Sequence, residues 1–214
     1  MNRIITIGRE FGSGGRELGK RLSDLLGFAY YDHEIVRAIA ERSELAESYV
    51  DMVLENGVNA YYPITVASTF AAPIVAPVPA VNSGIYAAQT EILRELAQRS
   101  DCVIVGRCAD HVLAEYHPLR IFVYASMENK LARCREREPE DSRISDRELE
   151  RRIRAVDKAR RDYYRFCTGE PWGDKANYDL CVNTSGVSIG ALAASLAALV
   201  RAMPNQNEQG GIEQ

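Results

Sequence analysis

The sequence predicts an α/β protein in three layers, a parallel sheet with helices on both faces. Three observations carry that prediction. A β-branched run, Ile4-Ile5-Thr6-Ile7, enters a loop with three glycines among four residues, which opens directly into an amphipathic helix. The run Cys102-Val103-Ile104-Val105 is apolar throughout, as a central parallel strand covered on both faces must be. Strand-like and helix-like stretches also alternate along the chain, the pattern of βα units.

Taken in order, Arg3–Ile7 reads as the first strand. Glu17–Leu26 reads as the first helix, with Leu18, Leu22, Leu25 and Leu26 on one face and Gly27 as its stop. Phe28–Asp32 is a second short strand, and His33–Ser43 and Glu44–Leu54 look helical. Tyr86–Arg99 is a helix with Ile92, Leu93 and Leu96 as its apolar side, feeding the strand at 101–106. Leu119–Ala125 and Leu180–Asn183 complete the strands, and Ser188–Met203 is a closing helix. Residues 1–203 form one domain, and Pro204–Gln214 is a polar tail expected to be disordered.

Residues 56–90 break this rhythm. They carry no charge and contain Pro63, Pro73, Pro77 and Pro79, spacings that break any membrane-spanning helix. Their Val, Ile, Tyr and Phe side chains favour an arm packed on the body or on a second copy as a homodimer, over a lid above substrate.

Composition narrows the function classes. A chain of 214 residues with 46% hydrophobic and 26% charged residues is enough for one ordinary globular domain. The five cysteines contain no C-x-x-C pair, and the three histidines lack ligand spacing, so neither a disulfide frame nor a metal site is expected. With no basic-then-apolar leader at Met1, a cytoplasmic location is expected and no membrane partner. The net charge of −4 conceals an asymmetry, because half of the 26 Lys and Arg residues lie between Lys130 and Arg165. Pairs such as Glu148–Arg152 and Glu150–Arg154 read as solvated i,i+4 contacts. The remaining guanidiniums suit an arginine-rich helical lid, within residues 127–175, over a polyphosphate. A nucleic-acid partner is disfavoured by the acidic total and the interspersed carboxylates.

The glycine loop carries the chemistry. Glycines let backbone N–H groups converge on an anion, and a helix N-terminus adds partial positive charge. Gly12, Ser13, Gly14, Gly15, Arg16 and Glu17 are therefore the candidate residues for the phosphates of ATP. A glycine-rich turn with a purely structural purpose is the duller alternative. The standard phosphate loop, G-x-x-x-x-G-K-[ST], places a lysine after its last glycine and then a hydroxyl for Mg²⁺. Here Gly15 takes the lysine's slot, and Arg16 and Glu17 follow. Arg16 is the first candidate for the missing cation and Lys20 the second.

Four segments in sequence order resemble the cytidylate kinase-like family, relatives of the P-loop nucleoside monophosphate kinases that phosphorylate CMP. They are Ile4 through the glycine loop to Tyr31-Asp32, Val103-Ile104-Val105-Gly106-Arg107, Asp157-Lys158-Ala159-Arg160, and Asn183-Thr184-Ser185-Gly186-Val187-Ser188-Ile189. The resemblance runs from Ile4 to about Val200 and implies a P-loop fold and transfer of the ATP γ-phosphoryl to CMP or dCMP, with Mg²⁺ as cofactor. A kinase for another small metabolite, or a nucleotide-binding regulator with little turnover, is the alternative. By the same resemblance Arg107 would clamp the acceptor phosphate, and Asp32 and Asp110 would belong to the acceptor site. Arg16, Arg154, Arg160 and Arg161 would surround the transferring group, with Asp157 positioning the lid or its metal. The departures are Cys108 where CMP kinases carry aspartate directly after the arginine, and the 56–90 arm in place of a compact insertion. Asp32 as the cap of the next helix, and Asp157–Arg160 as a plain i,i+3 pair, are the structural alternatives. Tyr163, Tyr164 and Trp172 suit either stacking on a base or anchoring a loop by burial.

Overall fold

The structure, a computed structural model, describes residues 2–43, 47, 78–138 and 144–204. Five strands form one parallel sheet: β1 (Ile4–Arg9), β2 (Ala29–Tyr31), β3 (Cys102–Val105), β4 (Leu119–Tyr124) and β5 (Leu180–Asn183). The spatial order is β2-β3-β1-β4-β5, so the first strand of the chain lies at the centre. Its register pairs Ile4 with Cys102 on one side and Ile5 with Leu119 on the other.

Alternation along these strands divides the core. On β1 and β3, Ile4, Cys102 and Ile104 face one layer, while Ile5, Ile7, Val103 and Val105 face the other. The first layer is completed by α2 (His33–Ser43), α3 (Val78–Arg99) and the short α4 (Ala109–Val112). The second is completed by α1 (Gly15–Leu26), through Leu18 and Leu22, and by α7 (Ile189–Ala202), through Ala193, Leu196 and Val200. This is the three-layer α/β architecture that the strand–loop–helix opening and the apolar β3 run predict.

Two differences from the sequence reading have a physical cause. Residues 78–85, expected to belong to an irregular arm, extend the helix expected at Tyr86–Arg99 toward its N-terminus. Pro79 falls in the first turn, where a missing N–H is tolerated. Leu25, expected on the apolar side of α1, is 44% exposed. Most of the helix expected at 44–54, the rest of the arm and the tail from 205 lie outside the described residues.

Two further helices, α5 (Met127–Arg137) and α6 (Asp146–Thr168), occupy the arginine-rich region. Ser126 and Ser145 cap them, accepting hydrogen bonds from the backbone N–H groups of Asn129 and Glu148. Among the described residues no helix is long and apolar enough to cross a membrane.

Candidate functional site

The C-terminal ends of β1, β3 and β4 meet around the glycine loop, at the sheet edge where open α/β folds bind ligands. Gly12 and Gly14 have φ of 74° and 83°, the left-handed region that glycine enters without steric cost. Gly14 is the N-cap residue of α1, so the loop delivers its backbone amides to the helix's positive end.

The loop is braced from behind by an ionic cluster. Lys130 Nζ, on α5, lies 2.7 Å from Glu10 Oε2 and 3.1 Å from Asp157 Oδ2. Asp157 also accepts a hydrogen bond of 2.6 Å from the Phe11 backbone N–H. Lys130 and Asp157 are both buried. Asp157 therefore braces the loop from beneath, paired with Lys130. On the other flank, Arg133 donates to the Ser13 carbonyl at 3.3 Å and to Thr184 Oγ1 at 3.0 Å. The Thr184 hydroxyl in turn donates to the Ser13 carbonyl at 2.7 Å, tying the end of β5 to the loop.

In front of the loop lies a cleft of about 570 Å³. Gly12, Gly14, Gly15 and Arg16 line it, with Arg9, Arg133, Arg137, Arg152 and Arg160. Six arginines against two carboxylates, Glu10 and Glu138, give the cleft a predominantly cationic lining, the electrostatics that suit a polyanion. Arg16 Nε sits 2.5 Å from Asp32 Oδ2, and Arg9 Nη2 lies 3.9 Å from Asp32 Oδ1. The buried Asp32 carboxylate thus orients two cleft arginines. Glu17 receives Arg21 at 2.9 Å and Arg137 at 2.7 Å, drawing α5 onto the start of α1. Arg160 stacks its guanidinium 5.8 Å from the Phe11 ring centroid and donates to the Arg9 carbonyl at 3.3 Å.

A second, smaller pocket of about 40 Å³ opens beside it, where β3 ends. Arg107, Cys108, Asp110, Tyr163, Tyr164, Trp172 and Tyr178 line it, together with Arg9 and Arg160, which are common to both clefts. Its floor is a strained turn. Gly106, Arg107 and Cys108 have φ of 76°, 60° and 52°, and the two non-glycine residues each cost about 1–3 kcal/mol there. Buried Gln89 holds the turn, donating to the Arg107 carbonyl at 2.8 Å while accepting from the Tyr163 hydroxyl at 3.1 Å. The Tyr164 hydroxyl donates to Asp110 Oδ2 at 2.7 Å.

Burial raises the Asp110 carboxyl above the usual carboxylate range, with the Tyr164 hydrogen bond opposing it. The unfolded chain then releases this proton first, so Asp110 lowers stability progressively as pH rises through its unfolded value of about 3.9. Asp110→Asn is expected to be more stable than the parent at pH 7, with the advantage fading by about pH 3. Denaturation midpoints of the two chains at both pH values check this.

Of the residues singled out in the sequence, Gly12, Gly14, Gly15, Arg16 and Arg160 meet in the large cleft, and Arg107 and Asp110 meet in the small one. Ser13 and Glu17 brace the loop. Arg154 lies elsewhere, held in an exposed pair with Glu150 at 2.6 Å, and Arg161 sits 5.9 Å over the Trp172 ring. Arg152 takes the cleft position expected of Arg154. Arg9, Gln89, Lys130 and Arg133 were not assigned to the site by sequence. The apolar stretch around Gln89 and the surplus of cations in α5 were the only signals for three of them.

A protein-family model described as the cytidylate kinase-like family matches residues 4–186. The chain belongs to that family. No curated protein matches this family member. Solved structures do. An uncharacterized protein from Eubacterium ventriosum is 22% identical with a TM-score of 0.68, the match covering 94% of this chain and 100% of that one. Shikimate kinase from Bacteroides thetaiotaomicron is 16% identical with a TM-score of 0.54, covering 93% and 98%. Shikimate kinase from Acinetobacter baumannii, solved with shikimate, is 17% identical with a TM-score of 0.51, covering 94% of each. At these identities the likeness is one of fold alone.

Proposed function

We propose that this chain transfers the γ-phosphoryl group of Mg·ATP to a nucleoside monophosphate, with CMP or dCMP as the acceptor. The observation that carries the reading is the pair of adjoining clefts, one large and bounded by a glycine loop, one small and bounded by Arg107, with Arg9 and Arg160 common to both. Family membership and the kinase-like fold support phosphoryl transfer in general.

Phosphoryl transfer brings several negative charges together, so the protein's task is alignment and neutralisation. In this reading the loop amides between Gly12 and Arg16 hold the donor phosphates at the α1 N-terminus. Arg16, oriented by Asp32, binds from the α1 side, and Arg133, Arg137 and Arg152 bind from α5 and α6. Arg107 clamps the acceptor phosphate bidentately. Arg160 reaches the transferring group from above Phe11. Mg²⁺ would be bound as part of the Mg·ATP substrate and would neutralise phosphate charge there. The loop supplies no Ser or Thr at the position that usually meets that ion.

The test is ADP release from Mg·ATP across a panel of nucleoside monophosphates and small hydroxylated or phosphorylated metabolites, against an acceptor-free blank. Turnover with CMP or dCMP well above the blank is the expected result. Turnover with a different acceptor retains the phosphotransferase and replaces the substrate. The second reading, a nucleotide-binding regulator, is favoured by the glycine at the lysine position. Tight ATP binding with a flat panel would select it.

A further inference from the structure

We propose that Arg9 is the phosphate-binding cation of this loop, occupying from the end of β1 the place that a lysine at position 15 would otherwise fill. The inference rests on the phosphoryl-transfer reading above and names a residue for its central charge. It begins with an exclusion. A Cβ built on Gly15 would lie 2.5 Å from Arg9 Cβ, 3.2 Å from Arg9 Cγ and 3.3 Å from Val123 Cβ. Such approaches are too close for any side chain, so Gly15 and Arg9 are complementary, the one bare because the other passes over it. The same relation recurs at the far end of the side chain. A Cβ on Gly106 would overlap the Arg9 guanidinium, so a second glycine clears the path of its head group.

That path leads to the junction of the two clefts. Arg9 lines the large cleft beside Gly14 and Gly15, and also the small one beside Arg107. The side chain is 9% exposed, and Asp32 Oδ1 lies 3.9 Å from its Nη2. A guanidinium held between donor and acceptor phosphates meets the group that passes between them, the location at which positive charge lowers the transfer barrier most. Arg16 is the rival from the sequence pattern. It is half exposed, with its Nε on Asp32, and it lines the large cleft alone.

The experiment compares the full chain with Arg9→Met, which keeps the stem over Gly15 and removes the charge. Binding of Mg·AMP-PNP and of adenosine, which carries no phosphate, is measured by calorimetry, with thermal unfolding recorded in parallel. The expected result is at least a 30-fold weaker affinity for Mg·AMP-PNP, with adenosine affinity changed less than 3-fold. Arg9→Lys, which restores a cation, is expected to regain at least 5-fold of that loss, and Arg9→Gln, with the same expected loss, serves in place of Arg9→Met should the latter fail to fold. Equal weakening of both ligands, or unchanged Mg·AMP-PNP affinity in the variant without the cation, would overturn the proposal while leaving the kinase reading intact. Absence of Mg·AMP-PNP binding by the unsubstituted chain would remove the kinase reading itself, and this inference with it.

Discussion

Lys130→Met is expected to destabilise the protein by about 3–5 kcal/mol, because it strands Glu10 and Asp157 as carboxylates without their shared cation. The ammonium is buried and bridges both acids, so no water-exposed substitute is at hand. For a chain of this size that loss corresponds to a fall of roughly 6–20 °C in the unfolding midpoint, using about 2–4 °C per kcal/mol. Urea titration gives the direct measure, and the midpoint should fall with an unchanged slope. Adding Asp157→Asn should recover part of the loss, since a neutral amide relieves one stranded charge. A fall below about 1 kcal/mol would show that the cluster is solvated and that the loop stands without it.

Arg160→Ala is expected to reduce turnover by about 10²–10³-fold, equivalent to about 2.7–4 kcal/mol of lost transition-state stabilisation. Its guanidinium lies where the clefts join, stacked on Phe11 and donating to the Arg9 carbonyl, from a side chain that is only partly buried. Stability should therefore change little, and KM for ATP should move less than kcat. Arg154→Ala is the matched control from the same helix. Its exposed pairing with Glu150 predicts turnover within about twofold of the parent. Equal losses in the two variants would reassign the effect to the helix as a whole.

The strand–loop–helix unit was legible because glycine and β-branched residues act locally. Three glycines in four residues mark a tight turn through backbone conformations that other residues avoid, and the periodicity after them marks a buried helix face. The apolar β3 run was legible for the same reason. Which arginine faces the cleft was not, because that depends on the rotational phase of α6. Residues 152 and 154 differ by about 200° around a helix, so one lines the cleft and the other faces Glu150. Arg9 escaped notice because a charged residue at a strand end ordinarily reads as its polar boundary. Its purpose emerges only when Gly15 and Gly106, far apart in the chain, are seen to border one side chain. Gln89 was obscured by its uncharged neighbours, and its buried amide acquires meaning only against the left-handed Arg107 turn.

The central place of β1 also bears on how the protein is made. Its neighbours in the sheet begin at Cys102 and Leu119, so β1 waits for these two partners until about a hundred more residues have been added. At ribosomal rates of about 5–20 residues per second that is an interval of roughly 5–20 s. Throughout it the apolar sequence Ile4-Ile5-Thr6-Ile7 is a strand with two open edges, attractive to other nascent chains and to chaperones alike. Non-local pairing of this kind makes for slow folding. The strand that delivers the glycine loop is therefore made well before β3 and β4, the two that secure it.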